Sequence, residues 1–451
     1  MALKLYNTLG RKIEIFRPLH GKTARLYTCG PTVYRSQHIG NYRTFIFEDI
    51  LQRALLTSGF RVKHVMNITD VGHLVADADD GEDKIEREAR RTGKTALCIA
   101  QFYEKEFLGD LNSLNILLPT KLVRATEHIK EQIALIKTLE KKGYTYRTSD
   151  GIYFDTSKLA NYGELAGNRH SNMAGARVNI GEKHNKTDFA LWKFAEAGVK
   201  RQMEWSSPWG VGFPGWHIEC SAMSMKYLGK TLDIHCGGAD HREIHHPNEI
   251  AQSEAATGKT FSRFWMHGAF LRVGKEKMAK SSPETNITLE TLSERGFDPL
   301  DFRYLTLGTH YRKPLSFSWK ALEGARNARL RMSSVVIQKA KSSEKKIKRE
   351  ILEAVQSDLN MPSALALFWK NAPRGISKPT LLWIDRVFGL RMRDALIQKK
   401  SVPASIHALA KTREMLRKEK QWDKADAIRK KVENLGFRID DTPRGPAIHR
   451  L

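Results

Sequence analysis

The pattern of apolar and polar positions predicts a strand–helix–strand unit near the start of the chain. Thr23–Thr28 is rich in β-branched and aromatic residues, as strands are. Apolar residues recur at helical spacing from Tyr42 to Ser58, Gly59 ends that helix, and Arg61–Thr69 predicts the next strand. The loop at residues 29–41 therefore runs into a helix N-terminus, where free N–H groups and the helix dipole favour a phosphate.

The same periodicities predict the elements that follow. Residues 82–117 alternate charged and apolar positions at helical spacing, which predicts helices on the flank of the sheet. Residues 125–142 predict another helix, and residues 145–154 predict a hairpin around Asp150-Gly151. Leu232–Cys236 and Phe264–His267 predict two further strands, and the second of these leads toward a lysine-rich loop. Residues 71–81 and 161–186 are polar and are interpreted as loops.

Beyond residue 320 the pattern changes to charged, helical segments, with a small mixed module at the end. We therefore expect an α/β fold: a Rossmann-type nucleotide-binding catalytic domain with an inserted connective domain, then an α-helical bundle and a small C-terminal module. The expected divisions are the first half of the catalytic domain at 1–120, the insertion at 121–215, the second half at 216–320, the helical bundle at 321–400 and the C-terminal module at 401–451.

Composition narrows the possible partners. The 451 residues include 75 Lys and Arg against 50 Asp and Glu, which gives a net charge of +25. Such an excess favours a polyanionic partner such as nucleic acid, although basic proteomes produce the same bias. No stretch approaches the ~20 apolar residues of a membrane span, and no signal-peptide core is evident. Four cysteines do not form a disulfide framework and suit a reducing compartment, so we expect a cytoplasmic protein without membrane contact.

Two short polar motifs indicate phosphate chemistry. His38-Ile-Gly-Asn41 ends the first loop, and Lys277-Met-Ala-Lys280-Ser lies far downstream. Gly and Pro residues around the first turn allow close backbone approach to a ligand, and two ammonium groups would neutralise charge developing on departing pyrophosphate. Each motif alone is more typical of an ordinary turn or a solvated surface loop. Together they resemble the HIGH and KMSKS signatures of class I aminoacyl-tRNA synthetases.

A third feature is a candidate metal site. Cys29, Cys220, His245 and Glu249 offer two thiolates, an imidazole and a carboxylate, which suits zinc. His245 and Glu249 are four residues apart and share one face of a helix. No paired-cysteine motif marks this site, and a lone cysteine is more often a small buried residue. His246 is a rival ligand, while the other two cysteines are interpreted as buried, with Cys236 held as a further possible ligand.

With these residues the chain resembles the cysteinyl-tRNA synthetase family over nearly its whole length, through CGPTVY, HIGN, NITD, SPWG, GWHIECSAMS, HHPNEIAQS, KMAKS and THYR. The resemblance implies that the family's zinc ligands match Cys29, Cys220, His245 and Glu249, and that the substrate thiolate binds the zinc. It also implies roles in two further groups of residues. The nucleotide-binding and catalytic group is His38, Gly40, Asn41, Lys277 and Lys280. The amino-acid-binding group is Cys29, Gly30, Thr69, Trp216 and Asp240.

Two members of the amino-acid-binding group have alternatives. Trp216 would cap the pocket, but a tryptophan in the protein core is an equal possibility. Asp240 would hold the substrate ammonium, but an aspartate that only stabilises a turn would account for this residue equally well. The resemblance also assigns the insertion to the tRNA acceptor end and the C-terminal module to the anticodon.

The chemistry of the substrate agrees with a zinc site. Cysteine and serine are near-isosteres that ordinary contacts discriminate poorly, whereas a soft metal prefers thiolate to hydroxyl. The implied reaction is activation of L-cysteine by ATP and Mg²⁺ to cysteinyl-adenylate, followed by transfer to the 3′-terminal ribose of tRNA(Cys). His38 and Asn41 would steady the phosphates, while Lys277, Lys280 and Mg²⁺ would stabilise the charge that develops. We expect one zinc per chain and a monomer.

Three departures from the family pattern bear on function: Asn41 replaces the second histidine of HIGH, Ala279 replaces the serine of KMSKS, and Pro247 stands where the family has glutamate. Proline is tolerated in the first turn of a helix, so a helix is expected to start there. Three other functions remain open. They are a ligase that passes cysteine to a small amine, a non-catalytic RNA-binding paralogue, and a class I synthetase for another amino acid.

Overall fold

The computed structural model describes residues 2–71, 83–167, 181–195, 201–274, 276–277, 286–336, 344–400, 402–442 and 445–450. The strands of this part of the chain are β1 Lys4–Asn7, β2 Lys12–Ile15, β3 Thr23–Thr28, β4 Arg61–Ile68, β5 Lys121–Arg124, β6 Thr145–Arg147, β7 Gly151–Phe154, β8 Phe189–Phe194, β9 Trp205–Ser207, β10 Gly210–Pro214, β11 Leu232–Gly238, β12 Ser262–Gly268, β13 Leu271–Val273, β14 Glu276–Lys277, β15 Leu315–Phe317, β16 Phe437–Thr442 and β17 Gly445–Arg450.

The α-helices of the same residues alternate with the strands as far as β15 and then form an unbroken helical series. They are α1 Ile39–Thr57, α2 Lys84–Thr92, α3 Ala96–Ser113, α4 Ile129–Lys141, α5 Trp216–Leu228, α6 His245–Thr257, α7 Leu289–Glu294, α8 Pro299–Leu307, α9 Trp319–Met332, α10 Glu344–Gln356, α11 Met361–Asn371, α12 Lys378–Phe388, α13 Met392–Lys400, α14 Ala404–Lys418 and α15 Trp422–Asn434. None of these helices combines the length and hydrophobicity that crossing a bilayer requires.

A five-stranded parallel sheet forms the centre of the catalytic region. Its strand order is β12-β11-β3-β4-β5, and every neighbouring pair is parallel. The predicted strands β3 and β11 are confirmed, and β4 ends at Ile68, one residue before the predicted end. Because the sheet is covered on both faces, its strands are almost continuously buried, as parallel sheets are. The carboxyl ends of β3, β4, β11 and β12 therefore meet at one edge, where open α/β sheets bind ligands.

The first helix begins earlier than its apolar pattern predicts. α1 starts at Ile39 rather than Tyr42, because the His38 side chain accepts a hydrogen bond from the backbone N–H of Asn41 and thereby caps the helix. Its apolar face packs in the main core, with Tyr42, Leu51 and Leu55 fully buried. The helix ends at Thr57, close to the predicted stop. The helices predicted between residues 82 and 117 are confirmed as α2 and α3.

The region between the two halves of the parallel sheet forms a separate antiparallel sheet. Its order is β6-β7-β8-β10-β9. The predicted hairpin is confirmed, with Thr145 opposite Phe154. On β8, the fully buried Trp192 belongs to a second core cluster together with residues of α4. The predicted loop at 71–81 falls outside the described residues except for its first residue. The loop at 161–186 is described at both ends, where it forms turns.

The last predicted strand of the nucleotide fold does not lead directly into the lysine-rich loop. β12 ends at Gly268, and the short strand β13 then pairs in parallel with β15, with Leu271 opposite Leu315. β13 also pairs antiparallel with β14, which contains Lys277. Glu276–Lys277, at the start of the lysine-rich motif, therefore belongs to a small three-stranded sheet that is separate from the central sheet. The Lys277 side chain and the whole of Lys280 lie outside the described residues.

The C-terminal third is helical, as its charged periodicity predicts. α8 to α12 pack into the main core, where Phe368 and Phe388 are fully buried. Helices α14 and α15 and the hairpin β16–β17 enclose a small core of their own. One expectation about burial is wrong: Cys98 is exposed, because the buried face of α3 contains Ala96, Ile99 and Ala100 and leaves residue 98 outside. The domain divisions given above stay predictions.

Candidate metal and nucleotide site

Four side chains that the sequence suggests as metal ligands meet at the carboxyl edge of the central sheet. Cys29 follows β3, Cys220 lies in α5, and His245 and Glu249 lie in the first turns of α6. One donor atom from each of the four lies within 4.8 Å of the other three, and all four residues are buried. Three separate elements thus bring two sulfurs, one nitrogen and one oxygen to a single point.

The donor set has the chemistry of a zinc site. The carboxylate oxygen Oε1 of Glu249 lies 3.1 Å from Nε2 of His245 and 3.8 Å from Sγ of Cys29. Burial, followed by the hydrogen bond to Cys220, raises the pKa of the Cys29 thiol, and burial also raises that of Cys220. Both thiols therefore hold their protons until a cation favours the thiolates, as metal binding does. Mixed S, N and O donors suit zinc.

A second set of possible ligands overlaps the first. Cys29, His235, His246 and Glu249 also bring donor atoms within 4.8 Å of one another. Nε2 of His246 lies 3.4 Å from Sγ of Cys29, and Nε2 of His235 lies 2.8 Å from Oε2 of Glu249. His246 is thus a geometrically sound rival. Cys236 belongs to neither set within the described chain; its carbonyl accepts the N–H of Cys29 at 3.2 Å.

Hydrogen bonds from further imidazoles orient the candidate ligands, each at the ring nitrogen that does not face the donor cluster. Nδ1 of His245 lies 2.8 Å from Nδ1 of His217, and Nδ1 of His246 lies 2.8 Å from Nε2 of His267. His267 in turn contacts the hydroxyl of Thr8 at 3.0 Å. Hydrogen bonds of this kind fix the ring that faces a metal, and they leave Nε2 of both candidate ligands pointing toward the donor cluster.

Sequence reasoning missed His217, His235 and His267 as members of this site. For His217 a signal existed, because it precedes Cys220 by three residues on the same helix and so shares its face. His235 and His267 lie on different strands that only the sheet pairing brings together, so no spacing rule could find them. Burial lowers the pKa of His246 and His267, which keeps both rings neutral.

The remaining substrate-binding predictions lie around this cluster. Trp216 is half-buried, and its ring centroid is 4.5 Å from that of His245, so it covers a candidate ligand instead of filling a core. Thr69 is buried and donates a hydrogen bond to Glu219 at 3.0 Å. Asp240 is exposed in the turn after β11, where its carbonyl accepts the N–H of Glu243 at 3.2 Å. Their roles toward an amino acid stay predictions.

Gly30 is required for a reason different from the one that the sequence suggests. A Cβ at this position would lie 1.7 Å from the carbonyl oxygen of Asn67. Its N–H also donates to Oδ1 of Asn67 at 2.9 Å. The absence of a side chain therefore allows the chain after β3 to pack on the backbone of β4, and this packing positions the adjacent Cys29.

The HIGN motif forms a reciprocal cap at the start of α1. Nδ1 of His38 accepts the N–H of Asn41 at 3.1 Å, while Oδ1 of Asn41 accepts the N–H of His38 at 3.3 Å. The neutral imidazole therefore carries its proton on Nε2, which makes that atom a donor. Gly40 lies in the first helical turn. Asn41 thus has a structural role that the sequence comparison of HIGN with HIGH does not reveal.

The segment that follows the lysine-rich loop contacts this cap. The N–H of Ile39 donates to the carbonyl of Ile287 at 2.8 Å, and His38 forms a β-bridge with Thr288. Residues 287 and 288, which follow the lysine-rich loop in sequence, therefore contact the HIGN turn.

A parallel sheet with the HIGN turn at its carboxyl edge, in a chain that also carries the KMAKS sequence, defines a class I aminoacyl-tRNA synthetase. Residues 15–327 match the family of class I (C) tRNA synthetase catalytic domains, and residues 399–445 match the cysteinyl-tRNA ligase anticodon-binding domain. A methionyl-tRNA synthetase of Mycobacterium tuberculosis, solved with methionyl-adenylate, has a similar fold with a TM-score of 0.57 at 14% identity, over 84% of this chain and 91% of that one.

Full-length relatives give the particular family. The chain is 49% identical to cysteine–tRNA ligase 1 of Burkholderia lata over 99% of this chain and 96% of the relative. It is 42% identical to a cysteine–tRNA ligase of Treponema denticola over 98% of both chains. The chain belongs to the cysteinyl-tRNA ligase family, and it is therefore an aminoacyl-tRNA synthetase, a ligase.

Proposed function

We propose that this protein is a cysteine–tRNA ligase that activates L-cysteine with ATP and transfers it to the 3′-terminal ribose of tRNA(Cys). The observation that carries the proposal is the buried cluster of Cys29, Cys220, His245 and Glu249 beside the HIGN turn, in a chain of this family. A bound zinc ion supplies a soft Lewis acid that prefers a thiolate to a hydroxyl, and so selects cysteine over serine. The four residues hold that ion.

The rest of the amino acid is positioned by residues around the cluster. Trp216 closes one side through its contact with His245, at 4.5 Å between ring centroids. Asp240, whose side chain is exposed, holds the substrate ammonium, and Thr69 lines the pocket from the end of β4. Gly30 keeps the Cys29 turn against Asn67. Together these groups place the substrate carboxylate next to the nucleotide end of α1.

The adenylation step takes place at the same edge of the sheet, on the side where α1 begins. Nε2 of His38 donates to a phosphate of ATP, and the N-terminus of α1, with Gly40 and Asn41 in its first turn, favours the negative charge. The Lys277 and Lys280 ammonium groups stabilise the developing charge of pyrophosphate, which leaves with Mg²⁺. The substrate carboxylate attacks the α-phosphorus in line. The tRNA ribose hydroxyl then attacks the carbonyl carbon of the resulting mixed anhydride. The ester bond forms, the bond between the carbonyl carbon and the phosphate oxygen breaks, and AMP leaves while the hydroxyl proton passes to solvent. The anhydride needs no further activation.

The remaining features agree with a tRNA ligase in the cytoplasm. The net charge of +25 suits a polyanionic substrate. We assign the insertion to the acceptor end of the tRNA and the C-terminal module to the anticodon. A monomer suffices, because both signature motifs and all four ligands come from one chain.

The test compares zinc content with amino-acid selectivity. Purified protein is expected to contain one zinc per chain and to catalyse cysteine-dependent ATP–pyrophosphate exchange with little competition from serine. Cys220→Ala should lose zinc and most of the exchange, since a ligand is removed. Cys98→Ala is the matched control, because Cys98 is exposed on α3 and should change neither property.

Two further variants separate the overlapping ligand sets. His245→Ala should release zinc, whereas His246→Ala should reduce zinc affinity only about 10- to 100-fold, as loss of an outer partner does. The proposal fails if the wild-type protein contains no zinc, or if Cys220→Ala activates cysteine as well as Cys98→Ala does. Exchange without charging of tRNA would instead indicate a ligase for a small amine.

A further inference from the structure

A second cleft lies at the other end of α1, away from the adenylation site. It encloses about 520 Å³, and Arg53 forms part of its lining. α1 runs from Ile39 to Thr57, so at 1.5 Å per residue Arg53 is roughly 20 Å from the helix N-terminus. The cleft is therefore separate from the metal and nucleotide site, and nothing in the proposed chemistry uses it.

The cleft lies where the catalytic region meets the helical bundle. Arg53 and Asn115 come from the catalytic side and are held in place: Arg53 donates to the carbonyls of Arg386 and Asn115, at 3.0 and 2.6 Å. One side of α12 contributes Pro379, Leu382 and Trp383. Trp383 is half-buried, so part of its indole ring faces the cleft. This side of the cleft presents a flat aromatic surface.

Three cations surround that surface. Lys348 on α10, Arg386 on α12 and Arg393 on α13 line the cleft. Within the described part of the chain, none of their side chains forms a hydrogen bond or an ion pair within 4.0 Å. Among the described residues, Arg386 and Arg393 thus have no direct counter-ion, while Lys348 interacts electrostatically with Glu344, one turn earlier on α10. Arg53, in contrast, is balanced by Asp49 at 2.7 Å.

Asp385 is the one carboxylate among the lining residues of this cleft, and it is already occupied. Its two oxygens accept the N–H groups of Leu390 and Met392, at 2.6 and 2.8 Å. Burial raises its pKa. The lining of the cleft thus holds four cationic side chains against this one carboxylate, beside the aromatic surface of Trp383.

We propose that this basic cleft, lined by Lys348, Trp383, Arg386 and Arg393, binds the RNA substrate through its backbone. The three cations contact phosphates and the indole packs against a base or ribose. This inference rests on the proposed function. Charges spread over three helices match a polyanion whose phosphates are spaced along a chain, whereas a small nucleotide is usually held by converging groups.

The position of the cleft supports an RNA occupant over an acidic peptide. α13 carries Arg393, packs against β17 of the C-terminal module and leads directly into residues 399–445, which match the anticodon-binding domain. The cleft therefore lies between the catalytic region and that module. An RNA that reaches both would pass Arg386 on α12 and Arg393 on α13.

The experiment uses the full-length enzyme with tRNA(Cys). Arg386→Gln and Arg393→Gln should each raise the KM for tRNA and lower the slope of log KM against log salt by about one unit. Trp383→Leu should raise the KM about fivefold or more, and Trp383→Phe should restore most of the loss, because a ring can still stack. Lys259→Gln, a charge removed from an exposed turn, is the control and should change neither quantity.

Cysteine-dependent ATP–pyrophosphate exchange without tRNA keeps the two proposals separate. If the wild-type protein lacks exchange, the proposed function is wrong. If exchange is normal and the four cleft variants have the same tRNA KM and salt slope as Lys259→Gln, the cleft does not bind the tRNA. A changed KM for ATP with an unchanged KM for tRNA would also overturn the proposal, since it would show a site for free nucleotide.

Discussion

The carboxylate of Asp49 is predicted to be one of the most sensitive single groups for the stability of this protein. It is fully buried in α1 and lies 2.5 Å from the guanidinium of Arg303 and 2.7 Å from that of Arg53. Its second oxygen accepts the N–H of Leu117 at 2.8 Å. Arg303 is also completely buried and donates to the carbonyl of Phe388 at 2.8 Å. Asp49 therefore joins α1 and α8 to the end of α12.

Asp49→Ala would leave two guanidinium groups in the interior with no anion. Removing one partner of a buried ion pair costs about 3 to 5 kcal/mol, because the other charge stays desolvated. Arginine cannot escape this cost by losing its proton. The free energy of unfolding should therefore fall by at least about 3 kcal/mol, measured by urea unfolding with circular dichroism. Glu323→Ala removes an exposed carboxylate from α9 and should change the free energy of unfolding by less than about 0.5 kcal/mol.

The pH dependence gives an independent check. Burial alone would raise the pKa of Asp49, but Arg303 and Arg53 more than offset burial, so the pKa lies below its usual value. A lowered pKa stabilises the folded state above the unfolded value of about 4 and loses that effect as the pH falls through the folded value. The difference between wild type and Asp49→Ala should therefore shrink in acid. The reasoning is refuted if Asp49→Ala is no less stable than Glu323→Ala at pH 7.

Three further substitutions test single features. Gly30→Ala should lower the melting temperature and the zinc content, because the new Cβ would lie 1.7 Å from the Asn67 carbonyl; wild-type values for both would contradict this. Asn41→Ala removes half of the reciprocal cap and should cost about 1 kcal/mol in urea unfolding, whereas an unchanged midpoint would refute the cap. Burial raises the pKa of Asp70 to about 6, so stability should fall as pH rises from about 4 to about 6. Asp70→Asn should flatten that dependence in melting curves, and an equal slope in both proteins would exclude Asp70 as its source.

The central fold was predictable because its signals are local. The β-branched and aromatic residues of Thr23–Thr28 identify a strand whose bounds agree with the structure, and the helical spacing after Tyr42 identifies α1. The start of α1 was missed by three residues, since histidine is not among the residues that ordinarily cap helices. The cap depends on an imidazole nitrogen that meets the N–H of Asn41. Capping preferences based on residue type alone cannot predict that geometry.

The candidate metal site required a different kind of information. Spacing supported only one pair, His245 and Glu249. The donor types made Cys29 and Cys220 plausible partners, and the family resemblance then matched all four residues. The structure brings them together because β3 ends, and α5 and α6 begin, at the same edge of the sheet. The basic cleft has no sequence signal at all. Its cations come from α10, α12 and α13, and nothing in the periodicity of each helix shows that they share a surface.

Pro247 explains why two imidazoles compete for the same position. It is the third residue of α6, where the absence of an N–H costs no helical hydrogen bond, so the helix begins at His245. Glu249 then lies one turn after both histidines, three residues from His246 and four from His245, and both rings face it, at 3.9 and 3.1 Å. Because of this helical spacing, Glu249 belongs to both ligand sets. The two sets differ outside this helix: Cys220 completes the set that contains His245, and His235 completes the set that contains His246.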